Sequence, residues 1–256
     1  MLSIFNGYLL FFLGFFLSFS IALLIYKTKN AHIAFSNDTT NGSQKFHTDN
    51  VPRIGGIALY LSTLIFAVIR PDDRFFFEFV ISVTPIFLTG LWEDFSKNVS
   101  SWLRLLASFV SAYFLVLHFG HSITGSGISF VDRIVDWLSI WKIITIIVVV
   151  TVINSLNIID GFNGLASGAS IITFATMGIL AAQNGDHELV AVIALMVLVI
   201  LGFFVVNFPK GLIFLGDGGA YFCGFAISFI SIFLLERNPE IEPTILFVIL
   251  AYPLIE

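Results

Sequence analysis

Residues 189–208 read LVAVIALMVLVILGFFVVNF, a run without a single charged side chain. As a helix it would be about 30 Å long, the thickness of a bilayer's hydrocarbon core. A helix that is apolar on every face belongs in a large core or in lipid. The rest of the chain points to lipid. Of its 256 residues 57% are hydrophobic and only 11% charged, whereas a soluble domain keeps about 25% charged. Thirty phenylalanines, clustered as in Phe75-Phe76-Phe77, would be an aggregation hazard in water.

Nine apolar runs of this kind are present, over 5–26, 53–70, 75–91, 102–119, 140–158, 164–183, 189–208, 218–235 and 244–256. None shows the period-2 alternation of a membrane barrel. The expected fold is therefore all-α, a polytopic helical membrane protein forming one integral-membrane unit over 1–256. The first run has no basic residue ahead of it and no small-x-small cleavage site, so it reads as a span rather than a leader. A net charge of −5 offers no basic patch, and no nucleic-acid partner is expected. The one cysteine, Cys223, reads as a small buried hydrophobe.

Consecutive spans alternate in direction, which sorts the loops into two sets. Loops after spans two, four, six and eight, centred on 71–73, 122–137, 184–188 and 236–243, hold turn formers and scattered charge. Loops after spans one, three, five and seven are denser. They hold Asp38 to Gly56, Glu93 to Lys97, Asn154 to Gly164, and Lys210 to Gly219. Seven basic residues fall on this second side (Lys27, Lys29, Lys45, Arg53, Lys97, Arg104, Lys210), against Arg70, Arg74, Arg133, Lys142 and Arg237 on the other. The bias places the motif face in the cytoplasm and the chain in the plasma (inner) membrane.

Each cluster has chemistry to offer. Lys45, His47 and Arg53 precede Gly55-Gly56 at the start of a span, where exposed amides and cations suit an anionic or phosphate group. Glu93 and Asp94 are adjacent carboxylates at a helix end, so one serves as a base with a raised pKa or binds metal; Lys97 lies three residues beyond. Asn154, Asn157 and Asp160 recur every third residue along one helical stripe, and Asn163-Gly164 permits a turn after it. Such a set suits a nucleotide base, a metal or a phosphate. Asp217 sits between Gly216 and Gly218, open to a ligand such as magnesium, which takes oxygen donors and bridges to substrate phosphates. His32, His118, His121 and His187 show no ligand spacing and are assigned no role.

These motifs resemble, in order, those of the polyprenyl-phosphate N-acetylhexosamine-1-phosphate transferases, relatives of phospho-N-acetylmuramoyl-pentapeptide transferase. The resemblance runs from Asp38 to Tyr252-Pro253-Leu254-Ile255-Glu256. It implies transfer of a sugar 1-phosphate from a UDP-sugar to polyprenyl phosphate with release of UMP and use of Mg2+. By that resemblance Asp217 and Asn157 are metal ligands and Asp160 lies in the polar centre. Asn163 meets the uracil, Lys45 and Lys97 meet phosphates, and Glu93-Asp94 ready the lipid phosphate. Arg53, His47 and Asn154 join the substrate-binding set. The implied pathway is O-antigen or another surface polysaccharide, the surroundings are membrane lipid, and a homodimer is left open.

Three departures stand out. Glu93 occupies a position where the family usually has Asp, and Asn163 replaces an Asp common in bacterial members. Family members also continue past a ninth span into a loop with Arg and a His-rich motif, giving ten or eleven spans; Glu256 falls inside that ninth span, so the chain reads as C-terminally incomplete. The rival function is an ion- or substrate-coupled transporter, which would break its helices near the midplane and often repeat internally. Here the polar clusters lie at span ends and no repeat is found.

Overall fold

A computed structural model of the chain describes residues 2–36, 51–71 and 73–255. Helices α1 (Leu2–Lys27) and α2 (Lys29–Ser36) come first, followed by α3 (Gly56–Ile69) and α4 (Arg74–Ser96). Helix α5 (Ser101–Tyr113) ends in a π-helical turn (Phe114–His118). Then come α6 (Ser129–Leu138), α7 (Trp141–Ile159), α8 (Leu165–Gln183), α9 (His187–Asn207) and α10 (Gly216–Arg237), and last the short α11 (Thr244–Ile249) and α12 (Ala251–Ile255). Among the described residues there is no ladder of strands, and the polytopic all-α expectation is met.

Six helices are long and apolar enough to cross a membrane: α4, α5 with its π turn, α7, α8, α9 and α10. Helices α1 and α2 make a seventh if taken as one span bent by 85°. His32 staples that bend, its ring bonding Ser36 Oγ at 2.6 Å and the Ile25 carbonyl at 3.1 Å. The run 53–70 yields only the shorter α3, because its first residues leave the helix to bond the α9–α10 loop: Phe214 N donates to Pro52 O and Gly55 N to Phe214 O. The run 244–256 is interrupted at Leu250 between α11 and α12.

Helix α10 is the axis of the bundle and is buried along nearly its whole length. It packs against α3, α4, α7 and α8. Lipid offers no hydrophobic drive for helices to associate, so close backbone approach through small residues takes that role. Gly56 of α3 meets the backbone of Gly219, and a Cβ on Gly90 of α4 would lie 2.7 Å from Gly218 N. Phe79, Phe222, Phe225 and Phe229 fill the space behind these contacts, Phe79 meeting Phe222 and Phe229 edge-to-face and Phe225 at a tilt. The glycine contacts bring the ends of α3, α4 and α10 to one point, where the candidate site lies.

The opposite end of the bundle is closed by charge. Arg237 forks onto Asp186 at 2.7 Å and reaches Glu188 at 3.0 Å. His121, which carried no sequence signal, bridges two helices: Nε2 lies 2.8 Å from Glu78 of α4 and Nδ1 2.8 Å from Glu236 of α10. Its ring packs on Phe233, with centroids 4.3 Å apart. Burial alone would lower the imidazole pKa, but hydrogen bonds to Glu236 and Glu78 carry it above its ordinary value. Folding therefore takes up a proton here, and the stabilisation is complete below pH 6.5 and lost as pH rises through the elevated pKa. Thermal unfolding in detergent is expected to shift to lower temperature over that range. His121→Gln should flatten the dependence; an unchanged slope in the variant would assign it elsewhere.

Helix α6 lies near this end too. Phe130, Ile134 and Trp137 share one exposed face, while Asp132 accepts from Ser126 and Asp136 accepts from the Trp141 indole. Apolar and polar residues on separate sides of a short helix suit the boundary between lipid and water.

Candidate active site

The site is built on the first turn of α10. Gly216 takes φ +77°, which turns the chain sharply into the helix and leaves Asp217 at its start. The first amides of a helix have no partner within it. Here the partner comes from another helix: Asp94, buried at the end of α4, accepts from Asp217 N at 2.8 Å and Gly218 N at 3.0 Å. An anion at a helix N-terminus also meets the positive end of its dipole. Asp94 is thus a cap for α10 supplied from 123 residues away in sequence.

Glu93 points elsewhere. Its Oε2 accepts from Val99 N at 2.8 Å and closes the α4–α5 turn, where Lys97 takes a left-handed backbone with φ 55°. The two adjacent carboxylates are therefore each engaged by backbone amides, in different places.

Asp217 meets two arginines. Arg53 contacts Oδ1 and also approaches Asp94 at 3.5 Å, while Arg104 of α5 donates to Oδ2 at 2.6 Å. Arg104 reaches the Tyr221 hydroxyl at 3.4 Å and Ser101 at 3.3 Å as well. Arg53 is aimed by its own backbone, since residues 52–56 are bonded to 214–215 on one side and Arg53 N donates to Ser36 O on the other.

The C-terminal end of α7 supplies the third wall. Asn154 donates to Ser108 of α5 and to Val150 O, fixing α7 to α5. Asn157 and Asp160 follow on the same stripe, and neither side chain makes a hydrogen bond among the described residues. Loss of water pushes the Asp160 carboxyl up to about 7; Arg53 opposes the rise and Asp217 adds to it. Those two effects place Asp160 within electrostatic reach of the Arg53–Asp217 pair. Asn163 packs its amide against Gly211, whose φ of +60° brings the α9–α10 loop under it.

The structure thus brings Arg53, Asp94, Asp160 and Asp217 into one polar centre and sets Asn154 and Glu93 in supporting positions. Asp38, Lys45 and His47 lie outside the described residues. Three further residues belong to the site. Arg104 reads in the sequence only as one more loop-side charge, and Tyr221 as one of many aromatics. Asn207 is a lone amide in the run 189–208. It is buried, accepts from Gly164 N at 2.6 Å and donates to Ile213 O at 2.8 Å, tying the α7–α8 turn to the α9–α10 loop. A polar residue in an otherwise uncharged span is a signal that could have found it.

Among the described residues no group of three or more His, Cys, Asp or Glu side chains is placed to cage a metal. Magnesium does not require one, because it is commonly held by one or two carboxylates, waters and substrate phosphates. Asp217 offers such a carboxylate, at present engaged by Arg53 and Arg104, and Asn157 lies near the end of α7, a helix that packs on α10.

Comparison with known proteins agrees with the motifs. The family model described as glycosyl transferase family 4 matches residues 76–235, well over half of the chain and nearly all of the site. The chain belongs to this family. Within it, the chain is 27% identical to the phospho-N-acetylmuramoyl-pentapeptide-transferase of Staphylococcus carnosus, over 75% of this chain and 64% of that protein. It is 24% identical to the probable undecaprenyl-phosphate N-acetylglucosaminyl 1-phosphate transferase of Bacillus subtilis, over 84% of this chain and 60% of that protein. A phospho-N-acetylmuramoyl-pentapeptide-transferase of Levilactobacillus brevis is 30% identical over 62% of this chain. This family 4 chain therefore spans about three fifths of the length of the first two relatives. The match lends no support to the transporter reading, and the polar residues converge at helix ends rather than at span centres.

Proposed function

We propose that this protein transfers a sugar 1-phosphate from a UDP-sugar, of the N-acetylated amino-sugar class, to polyprenyl phosphate, at a cytoplasmic site and with magnesium. An oxygen of the lipid phosphate attacks the sugar-bearing phosphorus of the donor. The bond from that phosphorus to the bridging oxygen breaks, and UMP leaves with the oxygen. The product starts a lipid-linked surface polysaccharide, such as O-antigen. The observation that carries the reading is the convergence at Asp217: one carboxylate at a helix start, two arginines on it, and the Asn157–Asp160 stripe alongside, in a family 4 chain.

Both reactants are anionic, so the barrier is largely one of repulsion and alignment. Arg53 and Arg104 supply positive charge at the centre and would hold phosphate oxygens. Asp217 and Asn157 would hold the magnesium, whose part is to neutralise the diphosphate and the departing UMP. Asp160 is the carboxylate of the centre whose side chain makes no hydrogen bond among the described residues, and its raised pKa suits it to accept a proton from a singly protonated lipid phosphate near neutral pH. Asp94 and Asn207 hold the frame. By family resemblance Lys45 and Lys97 are assigned to phosphate, Asn163 to uracil, and His47 to the substrate-binding set.

The test is UMP release by the full-length protein, with undecaprenyl phosphate and a panel of UDP-amino sugars including UDP-N-acetylglucosamine. The expected result is magnesium-dependent UMP release with at least one donor and none without the lipid phosphate. No release across the panel would sink the reading.

A further inference from the structure

The Asp217 carboxylate has no oxygen to spare. Its side chain is 6% exposed, Arg53 sits on one oxygen and Arg104 on the other, and its backbone amide is tied to Asp94. The carboxylate is thus fixed by the start of α10 and has little freedom to turn away. The arginine side chains are more exposed, at 34% and 21%, and each has other partners: Arg53 approaches Asp94, and Arg104 reaches Tyr221 and Ser101. With an arginine on each oxygen and little exposed surface left, a cation bound at Asp217 competes with the guanidiniums for the same carboxylate. If it arrives alone, it adds two positive charges beside arginines that must now share fewer carboxylate oxygens, with Asp94 near Arg53 as the remaining counter-charge. If it arrives with a diphosphate, the displaced arginines gain phosphate oxygens, and the charges balance again.

We infer that Arg53 and Arg104 are displaceable occupants of the Asp217 carboxylate, which make divalent-cation binding depend on a phosphate-bearing ligand arriving with it. The site then takes the metal weakly when empty and tightly when the nucleotide is present. By linkage the nucleotide is bound more tightly in the presence of the metal by the same factor. Direct contact between metal and phosphate couples the two ligands in any case; displacement adds a share of the coupling that vanishes when either arginine is neutralised, and arginines that only stiffened the fold would add none. The inference rests on the proposed reading of Asp217 as a metal ligand.

Mn2+ binding followed by electron paramagnetic resonance tests it in the full-length protein in nanodiscs, with and without UDP, corrected by a protein-free titration for the Mn2+–UDP complex. UDP is expected to tighten Mn2+ binding to the wild type by at least about fivefold, the low end of common coupling strengths. Arg104→Gln should tighten Mn2+ binding without UDP by a similar factor, weaken UDP, and shrink the coupling. Arg104→Lys, which keeps the charge but not the fork, should fall between. Arg53→Gln should behave like Arg104→Gln, so a folding defect in either variant leaves the other as a test. Absence of coupling in the wild type would overturn the inference. So would unchanged or weaker Mn2+ binding without UDP in a glutamine variant that melts like the wild type. Asp217→Asn separates the two levels: if it binds Mn2+ as the wild type does, Asp217 is not a metal ligand, and that reading falls with the inference.

Discussion

Asp217→Asn is expected to lower UMP release by at least about 10²–10³-fold, the range seen when a single group facing transition-state charge is removed. The substitution keeps size and shape but removes the charge that Arg53 and Arg104 share. By the proposed reading it also removes an anionic metal ligand. Freed of their carboxylate, the arginines remain available to phosphate, so UDP binding measured without divalent cation should persist or tighten while turnover is lost. That split distinguishes a chemical role from a collapsed site, which would lose both. Turnover within a few-fold of the wild type would remove Asp217 from the reaction.

Asp94→Asn should have the second-largest effect, and for a different reason. Asp94 is 2% exposed and accepts from two amides at the α10 N-terminus, with Arg53 alongside. An asparagine offers one acceptor and turns its amide hydrogens toward an amide donor. Leaving a buried amide without its acceptor costs about 1–3 kcal/mol. Thermal unfolding should shift markedly downward, and UMP release should fail with it because Asp217 loses its placement. Glu93→Gln is the contrast. That side chain accepts from Val99 N, and glutamine retains an acceptor, so a loss of about 1 kcal/mol or less is expected. If Glu93→Gln stopped turnover in a protein that melts normally, Glu93 and not Asp160 would be the base.

The adjacency of Glu93 and Asp94 shows what sequence does and does not reveal. A pair of carboxylates at a helix end is legible as unusual, and their repulsion is a fair expectation. Successive side chains on a helix point about 100° apart, however, and these two end on different partners. Asp94's partners come 123 and 124 residues later, so no local pattern could name them. The same distance hides Arg104, which meets Asp217 across 113 residues. In the sequence it is only one of the basic residues that orient the chain.

The spans themselves were legible because lipid demands long apolar runs. The run 189–208 maps to α9 at His187–Asn207, and 140–158 to α7 at Trp141–Ile159. Where the reading exceeded the helices, at α3 and at α11–α12, backbone bonding to another loop or a local break ended an otherwise apolar run. The stripe Asn154–Asn157–Asp160 was legible as a stripe. That Asn154 braces α5 while Asp160 faces the charged centre depends on which helices flank α7.

The central claim concerns which bond breaks, and an isotope decides it. UDP-N-acetylglucosamine, or whichever panel donor supports UMP release, would be labelled with ³²P at the phosphorus next to the sugar and incubated with undecaprenyl phosphate and the full-length protein. If a sugar 1-phosphate moves, the label passes into the lipid fraction and the released nucleotide is unlabelled UMP. Label left in released UDP, with only the sugar moved to lipid, would contradict the account.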